Sequence, residues 1–381
     1  MQFVSQRPYT VMLIVPTGVG AAVGGYAGDA LPVARAIAQV ADRLITHPNV
    51  LNGAQLYWPL PNALYVEGYA LDQFAAGRWG LRPVHQNRVG LVLDCGIEPD
   101  LRQRHLQAAD ATRATLGLSL SDYVVTDAPL GVTLQTAASG ATWGTIQNPD
   151  SLLRAVDKLI TQAGAEAIAV VVRFPDDEGS DALQQYRQGQ GVDPLAGAEA
   201  VISHLVVRTF RVPCAHAPAL LPLPLDPLLA PKSAAEELGH TFLPCVLVGL
   251  SRAPQIVSQI VSQTVGQIGT QIDTQNPAQP SDIWANQVDA LVVPATACGG
   301  SAVLSLSQSQ TRLITVGSNT TRMRVTAASL GLPAIAVNSY LEALGAIVAH
   351  RAGIDPTALD PQLHALQPLD KTLDGKANGK C

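Results

Sequence analysis

Charge is scarce in this sequence, and lysine scarcer still. Of 381 residues, 24 are Lys or Arg and 30 are Asp or Glu, so charged residues make up 14% of the chain and the net charge is −6. Only five are lysines, and Lys371, Lys376 and Lys380 stand among the last 11 residues. A mildly acidic chain without a Lys/Arg cluster has no electrostatic footprint for nucleic acid or for an anionic membrane, so neither is an expected partner. Long apolar runs are missing too. No stretch approaches the roughly 18–20 apolar residues of a membrane span, and Val11–Val15 is too short for a signal-peptide core before Pro16-Thr17-Gly18 stops it. Cys95, Cys214, Cys245, Cys298 and Cys381 lie at long intervals, in no disulfide-framework or zinc-ribbon spacing. Reduced thiols in a soluble, cytoplasmic protein are the expectation.

What is present is apolar material in short pieces. At 47% hydrophobic residues and this charge density the chain is not disordered, and its length fits one large α/β domain or two domains. β-branched runs alternate with helical stretches. Strands are expected at 11–15, 89–93, 123–126, 167–174, 206–210, 245–248, 290–293, 312–316 and 334–337. Helices are expected at 31–45, 100–116, 151–163, 196–205, 253–265 and 340–352. The fold class this predicts is α/β, with mostly parallel sheets, flanking helices and two Rossmann-like halves. Ser339 with Glu342 forms a capping box for the last helix, which Gly353 and Pro356 stop. Ser233 with Glu236 forms another, for a short helix ended by Gly239.

Two stretches break the alternation. Residues 218–231 carry five prolines in fourteen positions and must run extended, which makes them the expected domain junction. From Gln255 to Gln279 glutamine recurs at every fourth position, the mark of a solvated insertion. The expected organisation is an N-terminal α/β domain over 1–212, a proline-rich crossover over 213–241, and a C-terminal α/β domain over 242–365. The last of these carries the insertion at 255–282, and 366–381 is a frayed tail. Val15-Pro16-Thr17-Gly18 and Val293-Pro294-Ala295-Thr296 echo each other. Each closes a strand and precedes a glycine pair, Gly24-Gly25 or Gly299-Gly300.

Open α/β sheets bind ligands beyond the carboxyl ends of their strands. The polar strand ends here are Thr17-Gly18-Val19-Gly20 with Gly24-Gly25, then Asp94-Cys95-Gly96, Thr296 to Ser301, Ser318-Asn319-Thr320-Thr321, and Asn338. The first loop lacks the Gly-Lys-Ser/Thr ending of a phosphate-binding Walker loop, and no strand-end acid follows to hold a ribose, so no nucleotide or other cofactor is named. Its glycines fit either an anion held by backbone N–H groups or a tight strand-to-helix turn. Cys298 precedes Gly299-Gly300 and a predicted helix. Its thiolate there would serve as nucleophile or proton shuttle, with Thr296 and Ser301 as donors, and the opposing reading is a small buried hydrophobe. Cys95 occupies a similar place, where Asp94 and Glu98 would raise its pKa. Lys232 stands before a capped helix and would close over an anion. Glu67 is the candidate acid or base of the segment 57–74, whose Tyr57, Trp58, Tyr65 and Tyr69 stand out in a chain with 4% aromatics and fit a pocket wall or an interface. Cys214, His216, His240 and Cys245 match no zinc-finger spacing, and no metal is assigned.

The segments Pro16–Ala21, His47–Asn52, Leu64–Ala70, Phe242–Pro254 and Asn338–Glu342 together resemble a family found in cyanobacteria and photosynthetic eukaryotes. The resemblance implies that setting and brings no activity or site residues. Residues 289–299 have a faint similarity, over about ten residues, to the nucleophile strand of glycine-reductase-type proteins, without their further Cys/His pattern. The expectation is an enzyme acting on a small anionic metabolite in a cleft between two halves, with Cys298 as its reactive group. The competing expectation is a non-catalytic ligand-binding or assembly protein that uses the aromatic segment as a homo-oligomer interface.

Overall fold

The computed structural model describes residues 7–52, 58–176, 180–237, 243–258, 278–359, 361–363 and 365–366. Tyr57, Gly239, His240, most of the glutamine stretch and the tail beyond 366 lie outside the described residues.

Short β-branched runs, too apolar to face water on either side, form the centres of two parallel sheets. The first takes β1 (Thr10–Leu13), β2 (Arg43–Thr46) and β3 (Ala63–Tyr65) from the beginning of the chain. Its other strands, β12 (Val288–Pro294), β13 (Arg312–Val316) and β14 (Ile335–Val337), come from the end. Their order is β14-β13-β12-β1-β2-β3, with every pairing parallel. Three strands run outward from β1 and three from β12, which is the doubly wound order with its switch point between those two. The second sheet is β10-β9-β5-β6, built from β5 (Val89–Leu93), β6 (Leu120–Val125), β9 (Ala167–Arg173) and β10 (Cys214–Ala219). Its pairings are also parallel and follow a flavodoxin-like order. The fold is therefore α/β with two Rossmann-like halves.

The halves are nested rather than consecutive. The second sheet and its helices are inserted between β3 and β12 of the first, so a division at residues 212 and 242 cuts through a single sheet. Both crossings of the chain pass one antiparallel ribbon, β4 (Trp79–Arg82) on β11 (Gln255–Ser258), with Leu81 bridged to Ile283. Arg82 clasps Asp282 there through Nε at 2.8 Å and a terminal nitrogen at 2.9 Å. The junction lies at this ribbon. The proline stretch stays within the inserted unit, and its residues 220–227 run along the wall of a cleft.

Alternate residues of each strand feed two cores that each cross both sheets. Val11 and Leu13 share one with Leu91, Val171 and Val292. Met12 lies in the other with Val92, Val170, Leu291 and Cys298.

Several elements differ from expectation. The helix expected over 31–45 ends at Val40, Ala41 turns extended, and Arg43–Thr46 becomes β2. Residues 206–210 end the helix Ala196–Phe210, and 245–248 lie in the helix Leu243–Ser251. A short apolar run fits a buried helix as well as a strand, and nothing in its periodicity separates the two. Residues 255–258 form β11 where a helix was expected. Ser233 lies inside the helix Pro231–Ala235 and donates its hydroxyl to the Tyr186 carbonyl at 2.8 Å rather than capping. Ser339 does cap, accepting from the Glu342 N–H at 3.3 Å, while Glu342 accepts from Asn338 instead of closing the box.

Candidate active site

A cleft of about 1470 Å³ opens at the β1/β12 switch point. The first sheet supplies Val15 to Thr17 after β1, His47 after β2, Glu67 after β3, and Gly300 and Ser301 after β12. The inserted unit supplies one face of the helix Ala196–Phe210, His216 of β10, and the proline stretch. The volume exceeds the usual range for one small ligand.

Glu67 is held by the start of the helix Gly68–Ala75. Its Oε2 accepts the Tyr69 and Ala70 N–H groups at 2.8 and 3.1 Å, the N-cap role that a side-chain acceptor performs two residues past a strand end. That leaves Oε1, which lies 2.9 Å from Nε2 of His204. Glu67 is buried and the His204 side chain is 43% exposed, so the carboxylate is the fixed partner and the imidazole the presented one. Burial works against protonation of His204, but the hydrogen bond and charge of Glu67, with the charge of Asp72, outweigh it and raise the pKa. Gly68 permits the approach, since a Cβ there would stand 3.1 Å from the His204 Nε2. Asp72, one turn further on, accepts the Ala302 N–H at 2.9 Å, and burial raises its pKa.

His47 differs. Its Nε2 accepts the Val15 N–H at 3.1 Å, and burial lowers its pKa to about 4, so the ring is neutral. It follows β2 as Glu67 follows the paired β3, where Thr46 pairs with Tyr65 and the Val66 N–H continues the ladder to the Thr46 carbonyl at 2.9 Å, and both residues line the cleft.

Along the helix Ala196–Phe210, Glu199 and Ser203 are one turn apart and share a face. His216 joins them, with Nδ1 2.7 Å from the Ser203 hydroxyl and Nε2 3.5 Å from Glu199. Asp193 precedes this helix and accepts the Leu195 N–H at 2.8 Å. Burial, with the charges of Glu236 and Glu199, pushes its carboxyl well up. Burial also brings Glu236 up to about 7, although the Tyr186 hydroxyl donates to it at 2.6 Å. Arg104 and Arg187 are the cleft's arginines against Glu67, Asp72, Asp193, Glu199, Glu236 and Glu237, and Arg187 is itself clasped by Glu237 at 2.8 Å. The lining is rich in acids and in histidine, the composition of a proton-transfer site.

Of the residues singled out from sequence, Thr17, Glu67, His216, Gly300 and Ser301 line this cleft. Most of the others hold the scaffold together. Gly18 and Gly20 have positive φ and lie tight against Thr142 and Gly191, where a side chain would clash, so they seat the loop on the inserted unit. A Cβ on Gly24 would strike Val15, and one on Gly25 the Ala21 carbonyl. The two echoing loops are neighbours at the switch point and bind through the Ser318–Thr321 loop. The Ala22 N–H donates to the Thr320 carbonyl, the Val23 N–H to Asn319, and Thr296 bonds Thr321 at 2.8 Å. Gly299 packs on Val325, Ser318 N–H donates to the Asn338 carbonyl, and Lys232 is held by Asp29 at 2.8 Å and the Ala22 carbonyl at 2.6 Å.

The thiols lie elsewhere. Cys298 has no exposed surface, its Sγ lies 3.6 Å from the Ala295 carbonyl, and burial pushes its pKa up, so the surroundings favour the small-hydrophobe role over a thiolate. Cys95 is half-buried at the end of β5 in the second sheet, outside the cleft lining, so the two thiols do not face one site. In the aromatic segment, Tyr65 is buried, Tyr69 meets Trp79 edge-on, and Trp58 is half-exposed under the Arg35 guanidinium at 3.7 Å. Sequence reasoning passed over His204, Asp193, Glu199 and Ser203. The available signal was the spacing of Glu199 and Ser203 on one helical face, with His204 next to it.

Fold and cleft together define an α/β protein of two nested parallel sheets with a histidine–carboxylate site at the switch point of the outer one. The chain belongs to the family described as protein of unknown function DUF3326, whose model matches residues 10–360. It is 58% identical over 373 residues to a Synechococcus sp. (strain ATCC 27144 / PCC 6301 / SAUG 1402/1) protein named an uncharacterized lipoprotein, covering 98% of this chain and 99% of the relative. No solved structure matches it. Among the described residues no helix is long and apolar enough to cross a membrane.

Proposed function

We propose that the protein is an enzyme performing acid–base chemistry on a small polar metabolite in this cleft, with His204 as the proton-transferring group and Glu67 as its positioning partner. The observation that carries the reading is the 2.9 Å Glu67–His204 pair, one member buried and backbone-anchored, the other open to the cleft. A carboxylate behind an imidazole fixes its tautomer and stabilises its charged form. The substrate class changes with the lining. Excess carboxylates favour an uncharged, hydroxyl-rich or cationic ligand over the anion suggested by the glycine loops, of which the Ala22, Val23 and Gly24 N–H groups already have partners.

Thermal-shift screening against sugars, polyols and amines supplies a hit, and turnover of that hit by His204→Gln and Glu67→Gln tests the roles. Glutamine at 67 keeps the helix-capping oxygen and removes the charge. Both variants are expected to lose at least tenfold in kcat, and wild-type turnover by His204→Gln overturns the reading. The cytoplasm is the proposed location: Cys95, Cys214 and Cys298 form no disulfide, as in a reducing compartment. The relative's name points instead to a lipid-anchored protein, and cell fractionation with a membrane wash decides between the two.

A further inference from the structure

His47 takes no part in the Glu67–His204 pair, yet a backbone N–H fixes it in the cleft. The Val15 N–H that donates to its Nε2 leaves that nitrogen without a proton, so the neutral ring carries its hydrogen on Nδ1. Among the described residues Nδ1 has no hydrogen-bond partner, and it is not one of the buried polar atoms left without one. It therefore keeps open surface, and His47 lines the cleft. A neutral imidazole N–H held in this way neither gives up its proton nor takes a second one. Its use is to donate a hydrogen bond to an oxygen on which charge develops. Its place fits that use. His47 follows β2 and Glu67 follows the paired β3, strands about 4.8 Å apart, and the charges of Glu67 and His204 both act on Asp72 from the same wall.

We propose that His47 is a catalytic residue whose Nδ1–H binds the carbonyl oxygen of an α-hydroxycarbonyl substrate, and that the reaction is proton abstraction next to that carbonyl. The proposal rests on the acid–base reading above and names its substrate class. Asp72 takes the proton from the α-carbon. The C–H electron pair becomes a C=C bond as the carbonyl π pair moves onto oxygen, which His47 hydrogen-bonds and the His204 imidazolium protonates. The α-hydroxyl of the resulting enediol then returns a proton to His204, and the former carbonyl carbon takes the proton on Asp72. The product is the isomeric carbonyl, and no oxidant or reductant is consumed.

Two measurements test this on the full chain. Nitrogen-15 NMR of the histidine rings needs no substrate. His47 is expected as the Nδ1–H tautomer without titration between about pH 5.5 and 8, and an Nε2–H form or a titrating ring overturns the proposal. Proton exchange in D₂O from dihydroxyacetone and D-erythrulose supplies the chemical readout. The wild type is expected to exchange their α-protons, His204→Gln to stop doing so, and His47→Gln to slow about a hundredfold with the His204 signal in place. Exchange at the wild-type rate by His47→Gln sinks the role of His47 while the acid–base reading survives. No exchange by the wild type sinks the enolisation, and the acid–base reading then stands or falls on its own ligand screen.

Discussion

His204 and His47 differ in what faces Nε2: a carboxylate in one, a backbone N–H in the other. The first favours the imidazolium and the second the neutral ring, so the two respond to pH in opposite senses. The His204 pKa is raised above its unfolded value, so its stabilising effect is present below pH about 6.5 and is lost as pH rises through the raised value. That of His47 is lowered to about 4, so between that pH and about 6.5 the unfolded chain binds a proton that the folded chain refuses. Its contribution is complete above about 6.5 and falls away toward pH 4, by an amount on the order of 3 kcal/mol. Glu236, up at about 7, gives the contrary slope, with stability falling as pH rises from about 4.5. The two slopes offset each other across pH 4 to 7, so the urea midpoint is expected to fall more steeply with rising pH in His47→Gln and to rise with pH in Glu236→Gln. Gly68→Ala provides a test that leaves every charge in place. The added methyl presses on the His204 ring, and NMR titration is expected to show the His204 pKa dropping toward its ordinary value.

The helix Ala196–Phe210 carries Glu199, Ser203 and His204 over a span of about 12 Å from its first residue to His204, and what sets its position is glycine. A Cβ on Gly197 would overlap the Thr142 carbonyl and Trp143, and one on Gly144 of the hairpin formed by β7 (Val132–Thr136) and β8 (Thr142–Ile146) would overlap Ala198. Alanine at 197 gains about 1 kcal/mol of helix propensity, but a backbone overlap costs more than that. Gly197→Ala is expected to lose roughly 1–3 kcal/mol in urea unfolding and to lower kcat by moving His204, while a neutral surface change such as Arg208→Gln leaves both unchanged. Elements of this kind were only partly legible in the sequence. Runs such as 89–93 and 312–316, bounded by turn residues, are the strands they promised to be. Residues 245–248 read as a strand because an apolar run carries no period of its own, and β2 hid in a helical pattern that continued past Val40. Of the site, Glu67 stood out by its aromatic company. His204 did not, since a lone histidine on a helix acquires meaning only when the fold brings a strand-end carboxylate to its Nε2.

At the scale of the molecule, the consequence of nesting is that neither end of the chain completes its sheet without the other. β1 lies between β2 and β12, and Val11, Met12 and Leu13 have no exposed surface where a strand about 280 residues away flanks them on one side. Sequence alone hides this, because strand order is a long-range property and the proline stretch offered a more conspicuous boundary. A fragment of residues 1–241, cut where that boundary invites it, exposes the β1 edge and also loses the helix Leu243–Ser251 that packs on β9 and β10. It is expected to be insoluble or to lack dispersed NMR signals. Mixing with residues 242–381 is expected to restore a folded complex, since both crossings meet again at the β4/β11 ribbon. The intact chain should unfold in one step, with calorimetric and van't Hoff enthalpies in agreement, because each core crosses both sheets. A folded, soluble 1–241 fragment, or two resolved transitions in the whole protein, would show that the sheets are energetically separate, and the cleft would then be a mobile gap between two bodies rather than a preorganised site.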